Sequence, residues 1–493
     1  MSFLAKLKDV PRKLHILLVV CTFGGSIAGI DTALVSGAQL FFVTRFHLDT
    51  SLQGLTVSAT LLGALTGALL SDVLNKWLGR KGAMFLASVD AVAAGIVESC
   101  IDIWKVLLIG RLFLGICFGI MTSTIPMFLS ECAPKDVRGM FTTVYQLAYA
   151  IGYLIGLIVD SIFVKVKHGW HFMLGSVIVP SLVVAFCLFF ASESPRWLFI
   201  KGREEAAWNS LLTIRSSQEV ALQDYNEMRE WMRRERENTV SFFGLFRIIY
   251  RQPHVRRPIV LGIALQFAQQ FCGVNAVMFY FEYVLQFAGL TDSQSIHVSL
   301  ALGFAAVLFT LPTFWLVDRF GRRFLLLFTM PLVAMMLWLC GFSFFGGYKV
   351  RLALNLTGTL LFRLFYGPGL GPVPWVIVSE IYPWYIRSFC LTLNSFFCYL
   401  FNFTVSFSWP TMLKSMHAQG AFSFFAGCTL ASTLFIYFFV PETRGLQLES
   451  IEMLFDHSFY EIAKENVNNT KEHMKKWDIC GKNGCRNQEC TLY

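Results

Sequence analysis

The sequence predicts an all-α polytopic membrane protein: twelve transmembrane helices in two six-helix pseudo-repeats, with cytoplasmic helices between the halves. Composition supports the first part. Of 493 residues 55% are apolar and only 15% charged, against about 25% charged in a soluble domain, and mean hydropathy is +0.56. Apolar runs recur at the ~20-residue length that crosses a ~30 Å hydrocarbon core. A set of motifs that occurs twice, in the same order, supports the second part.

Taken in order, the apolar runs lie at 14–43, 52–74, 82–101, 104–128, 140–163, 172–192, 258–287, 297–317, 324–345, 352–379, 388–412 and 420–440. Residues 1–13 form a basic N-terminus whose following span is too long for a signal-peptide core. The first half is 14–192 and the second 258–440; between them, 193–257 is hydrophilic, and its Glu204–Glu237 stretch mixes both signs of charge as surface helices do. A polar tail, 441–493, closes the chain. Lys and Arg concentrate in alternate loops, which places both termini in the cytoplasm, with the plasma membrane as the expected location. The net charge of +9 is spread between spans rather than along one face, so nucleic acid is not an expected partner. Of 13 cysteines, ten lie in or beside spans and Cys480, Cys485 and Cys490 in the tail, without a disulfide framework. No metal cluster, nucleophile–base pair or phosphate loop stands out; neither an enzyme nor a cofactor is expected.

The duplication is specific. Arg111-Leu-Phe-x-Gly115-x-x-x-Gly119, Ser130-Glu131-x-x-Pro134-x-x-x-Arg138 and Gly79-Arg80-Lys81 recur about 250 residues later as Arg363-Leu-Phe-x-Gly367-x-x-x-Gly371, Ser379-Glu380-x-x-Pro383-x-x-x-Arg387 and Gly321-Arg322-Arg323. Gly29-Ile-Asp31 is echoed by Gly273-Val-Asn275, and Glu193 by Glu442. Two like-oriented halves of this kind normally hold a binding site near the bilayer midplane, which is carrier architecture.

Asp31 is a carboxylate inside an apolar span, a placement that calls for a partner or a function. At ~1.5 Å per residue its depth matches that of Arg111 in the antiparallel fourth span, so the two can pair; protonating Asp31 would then release Arg111 and bias one conformation. The alternative is a structural ion pair. At the cytoplasmic helix ends Arg80, Glu131, Arg138, Glu193, Asp318, Arg322, Glu380, Arg387 and Glu442 are candidates for a gate of breakable charge pairs. Gln266, Gln269 and Gln270 fall on or near one face of the seventh span, with Asn275 beyond, and Gln146 raises the same question in the fifth. Amides offer donor and acceptor without charge, which suits a neutral polyhydroxy ligand. Gly367-Pro-Gly-Leu-Gly-Pro372-Val-Pro374-Trp375 cannot be a regular helix and can line a cavity, with Trp375 stacking on a sugar ring.

From Gly24 to Gly445 these motifs resemble the sugar porter family of the major facilitator superfamily, its hexose transporters in particular: Pro126-x-x-x-Ser-Glu131, Glu193-Ser-Pro-Arg-Trp197, Gln269-Gln270-x-x-Gly-x-Asn275, Asp318-Arg-Phe-Gly-Arg-Arg323, Pro374-Trp375 and Pro441-Glu-Thr-Arg-Gly445 carry the likeness. The resemblance implies the major facilitator fold, alternating access to a monosaccharide such as glucose, sugar binding by Gln146, Gln269, Gln270, Asn275 and Trp375, and proton coupling at Asp31 and Arg111. The eleventh-span positions Tyr399 and Asn402 join the binding set. Departures are Lys76 where an acid is usual, Ala306 for a sugar-binding Asn, and Cys398-Tyr399 for an Asn-Trp pair, which predict altered selectivity or weaker affinity. Arg363 also departs, and its repeat relation to Arg111 suggests a second pair with Glu282. The expected activity is hexose transport by facilitated diffusion or proton symport, for which a monomer suffices. Two alternatives stand beside it: a carrier-like nutrient sensor, or a carrier of inositol, a polyol or another small organic solute.

Overall fold

The computed structural model describes residues 12–132, 138–215, 217–237, 249, 251–312, 316, 319–383, 386–444, 454–456 and 458–468. Among them every regular element is helical. The helices are α1 Arg12–Arg45, α2 Thr50–Trp77, α3 Gly79–Cys100, α4 Trp104–Cys132, α5 Arg138–Phe163, α6 Gly169–Gly175, α7 Ile178–Phe190, α8 Pro195–Ile200, α9 Glu204–Ile214, α10 Gln218–Glu237, α11 Pro253–Gln270, α12 Val274–Phe287, α13 Asp292–Thr310, α14 Arg322–Phe342, α15 Tyr348–Tyr366, α16 Val373–Ile381 and α17 Arg387–Phe439. Ten stretches are long and apolar enough to cross a membrane. One of them, Phe389–Phe439, has 51 residues, more than twice the ~20 that a crossing needs. It breaks at His417 (φ 58°, ψ 171°) and covers the expected eleventh and twelfth spans. The expected tenth span is not among the ten: it divides into α15 and α16 around residues 367–372, where its prolines and glycines fall.

Two compact units result, and they do not follow the sequence repeat. Unit 1 holds 1–239 with 275–307 and 399–415; unit 2 holds 240–274, 308–398 and 416–493. In unit 1 the segments from the second half of the sequence join the first by hydrogen bonds. Gln39 Nε2 donates to the Phe279 carbonyl at 2.6 Å, Tyr153 to that of Met278 at 3.4 Å, and Tyr399 to Thr122 Oγ1 at 2.9 Å.

Close helix approach sets the positions that matter. Gly63 and Gly67 of α2 face Gly115 and Gly119 of α4, and a Cβ on any of the four would strike backbone of the facing helix. Small residues four apart let backbones touch, the packing that dispersion favours where no water is present to be expelled. That seam carries Thr60 to Arg111. Between the spans, α8 starts with Ser194 as N-cap, its hydroxyl accepting from Trp197 N–H at 3.3 Å, and with Pro195 at the first turn. Trp197, Leu198, Phe199 and Ala207 form a small core under Tyr225 and Met228. Arg215 fastens these helices to α4 through the Cys132 carbonyl at 2.6 Å and pairs with Asp224 at 2.5 Å.

Candidate functional site

Deep in unit 1, α1 and α4 bring Asp31 and Arg111 together. Arg111 Nη1 donates to Asp31 Oδ1 and Nη2 to Oδ2, each at 3.0 Å, a bidentate clasp buried on both sides (0% and 2% exposed). Nη2 also donates to Thr60 Oγ1 at 3.3 Å. A third charge, absent from the sequence expectation, joins them: Glu98 of α3, 0% exposed, places Oε2 3.7 Å from Arg111 Nη1. Neither Glu98 oxygen has a hydrogen-bond partner. One guanidinium thus faces two carboxyl groups. The signal in the sequence was simply an acid inside the third apolar run.

In unit 2, α11 presents the amides. Gln269 Nε2 donates to the Leu370 and Gly371 carbonyls at 2.9 and 2.7 Å, the carbonyls that the break between α15 and α16 leaves without helical partners. Gln270 Nε2 donates to Gln269 Oε1 at 3.3 Å and to Cys398 Sγ at 3.2 Å. The Gln269 donor is therefore occupied by its own unit. Gln266, fully buried one turn earlier, keeps both amide atoms without a hydrogen-bond partner. Trp375, half-buried, opens α16. In unit 1, Gln146, Tyr399 and Asn402 are half-buried and Asn275 is buried. Asn402 Oδ1 accepts from Ser406 at 3.3 Å.

The helix-end charges form two similar clasps. In unit 1, Arg80 Nε and Nη2 donate to Glu131 at 2.9 and 2.7 Å, while Glu193 accepts the backbone N–H groups of Arg80, Lys81 and Ser194 at 2.8–3.3 Å. In unit 2, Arg322 Nη2 donates to Glu380 at 3.0 Å, and Glu442 accepts from the N–H groups of Arg322 and Arg323 at 2.9 and 3.0 Å. Gly79 (φ 82°) and Gly321 (φ 88°) turn the chain into each site, and a Cβ on either would meet the carboxylate of Glu193 or Glu442. Each acid thereby caps the positive start of a helix. Burial outweighs these donors at Glu193 and raises its carboxyl above the ordinary range. Every clasp joins elements of a single unit. Arg387 donates to the Tyr382 carbonyl at 3.1–3.2 Å; the Arg138 side chain and Asp318 lie outside the described residues. Of the suggested second pair, Glu282 lies in unit 1 and accepts from the Ser36 hydroxyl, and Arg363 lies in unit 2.

Residues 17–455 match the family model described as Sugar (and other) transporter. The human proton myo-inositol cotransporter is 29% identical, over 91% of this chain and 83% of its own length. The glucose transporter GlcP of Staphylococcus epidermidis (89% and 96%) and the arabinose-proton symporter of Escherichia coli K12 (90% and 94%) are each 30% identical. The proton:xylose symporter XylE bound to 6-bromo-6-deoxy-D-glucose superposes with a TM-score of 0.74 at 26% identity, covering 90% of this chain and 98% of that one. These relatives are carriers and not enzymes, and with the match over nearly the whole chain they identify the polypeptide as a member of the sugar porter family of the major facilitator superfamily.

Proposed function

We propose that this chain carries a compact, uncharged polyhydroxy ring, a hexose such as glucose or an inositol, by alternating access, and that proton uptake by Asp31 drives it. The buried clasp between Asp31 and Arg111 is the observation that carries this reading. A proton on Asp31 cancels one charge of the clasp and leaves Glu98 as the remaining counter-charge for Arg111, so the proton changes which contacts stabilise each conformation. Gln266, with both amide atoms unengaged, is the first candidate to meet ligand hydroxyls; Gln146, Gln270, Asn275, Tyr399 and Asn402 supply further polar contacts and Trp375 a stacking face. Gln269 belongs to the proposed set as well, its Nε2 donating in this arrangement to carbonyls of the α15–α16 break. Relatives named for inositol, glucose and arabinose support a cyclic polyol in general. The distribution of Lys and Arg supports cytoplasmic termini in a plasma-membrane protein.

The test is uptake of labelled glucose and labelled myo-inositol into proteoliposomes, with and without an inward proton gradient, for wild type and Asp31→Asn. Wild type should accumulate one of the two only with the gradient, and Asp31→Asn should only equilibrate it. Equilibration indifferent to the gradient and to Asp31 would replace symport by facilitated diffusion. Binding without uptake would move the sensor reading to the front.

A further inference from the structure

Unit 1 buries a second pair of acids, and this pair has no cation. Asp160 of α5 and Glu282 of α12 are both 0% exposed. Neither forms an ion pair among the described residues. Consecutive residues of α1 touch the two carboxyls, which lie near enough to influence each other electrostatically. Ser36 donates its hydroxyl to Glu282 Oε2, and Gly37 lies so close to Asp160 that a Cβ there would meet the Asp160 carboxyl. Ser299 of α13 donates its hydroxyl to the Ile296 carbonyl at 2.8 Å. Both Asp160 oxygens and Glu282 Oε1 have no hydrogen-bond partner.

Other polar groups around the pair are engaged elsewhere. Asp31, earlier on α1, is held by Arg111. Gln39 donates to the Phe279 carbonyl, Tyr153 of α5 to that of Met278, and Tyr280 of α12 to that of Ser406. Two buried carboxylates near each other, with vacant acceptors and no ion-paired cation among the described residues, repel each other and lack the solvation that water gave them. A proton on one of them removes the repulsion.

We propose that Asp160 and Glu282 form a proton-binding site separate from Asp31 and Arg111, where one proton taken up by the pair favours the packing of α1 against α5 and α12. Parting α12 from α1 hydrates both acids and lets the proton go, so protonation favours the packed arrangement described here. This goes beyond the transport reading, because it requires neither a known substrate nor a role for Asp31.

Infrared spectroscopy on the full-length protein in lipid tests it. An Asp31→Asn/Glu98→Gln background, which removes the other buried acids around Arg111, should retain near neutral pH a protonated-carboxyl C=O band that shifts in heavy water. Adding Asp160→Asn and Glu282→Gln should abolish that band. If the combined variant does not fold, Asp160→Asn and Glu282→Gln are read singly, and at least one must lose the band. In parallel, hydrogen–deuterium exchange of peptide 275–287, corrected for intrinsic rate, should rise several-fold in wild type between neutral and alkaline pH. It should stay flat in the Asp160→Asn/Glu282→Gln variant, whose amides mimic the protonated state. No band in wild type, a band surviving every substitution, or protection that follows sodium rather than pH would overturn the proposal.

Discussion

Among the described residues, charged clasps at the helix ends are built twice, and an ion pair in the middle of a span is formed by Arg111 with Asp31 and Glu98. Arg80–Glu131 with Glu193 in unit 1 and Arg322–Glu380 with Glu442 in unit 2 share donors, acceptors and even the positive-φ glycine that opens the turn. At the middle positions, by contrast, the repeat equivalents of Asp31 and Arg111 are Asn275 and Arg363. The difference separates two uses of charge. A helix end exposes N–H groups that want an acceptor in any bundle, so both halves carry the same solution. An ion pair deep in a span meets no such general need and costs desolvation, so its presence in one half points to a task belonging to that half.

The largest effect that would sharpen this contrast comes from Arg111→Met. It strands Asp31 and Glu98 without a counter-charge, which should cost about 3–5 kcal/mol and show as loss of monodisperse protein or a steep fall in Tm. A variant melting like wild type would mean that both acids are neutral without Arg111 and that the clasp stores little.

At the helix ends, Glu131→Gln should lower stability by about 2 kcal/mol and Glu380→Gln by about 1 kcal/mol, read as Tm in detergent. The order follows from geometry, since Arg80 and Glu131 are bidentate and 10% and 5% exposed whereas Arg322 and Glu380 share one bond at 14% and 23%. The reverse order would break the equivalence of the two clasps.

The smallest effect is at an exposed charge pair. The Arg45 guanidinium holds the Asp102 carboxyl below its ordinary value, at 2.6 Å. A lowered carboxyl stabilises the fold above the unfolded-state value of about 3.9, and the contribution is lost as pH falls through the lowered folded-state value. Arg45→Gln should therefore shift Tm slightly at neutral pH and not at all in strong acid, a difference that thermal melts at the two pH values resolve. An equal shift at both would assign Arg45 a packing role.

Much of this was legible before any coordinates. Counting residues inward placed Asp31 and Arg111 at compatible depths, the duplicated motifs carry the charges of both helix-end clasps, and the α2–α4 seam passes through Gly115 and Gly119, already visible in the repeat. Other features were not. Glu98 and Asp160 do not stand out in the sequence because hydropathy averages hide isolated acids within long apolar runs, and nothing local to Glu282 shows that Ser36 donates to it. The sequence also does not show that the Gln269 donor meets the carbonyls of a helix break about a hundred residues away, a demand that the broken backbone of 367–372 creates.

The sequence by itself determined the class and the repeat, because apolar length and motif order are local properties of the chain; it supplied the helix-end charges, whose partners stand 51 to 120 residues away. The tertiary structure alone decided that 275–307 and 399–415 pack with the first half, that Glu98 stands beside Arg111, and that Asp160 and Glu282 are buried against neighbouring residues of α1. Those depend on which faces of distant helices come into contact, and a buried charge takes its meaning from the partner across that contact rather than from its neighbours in sequence.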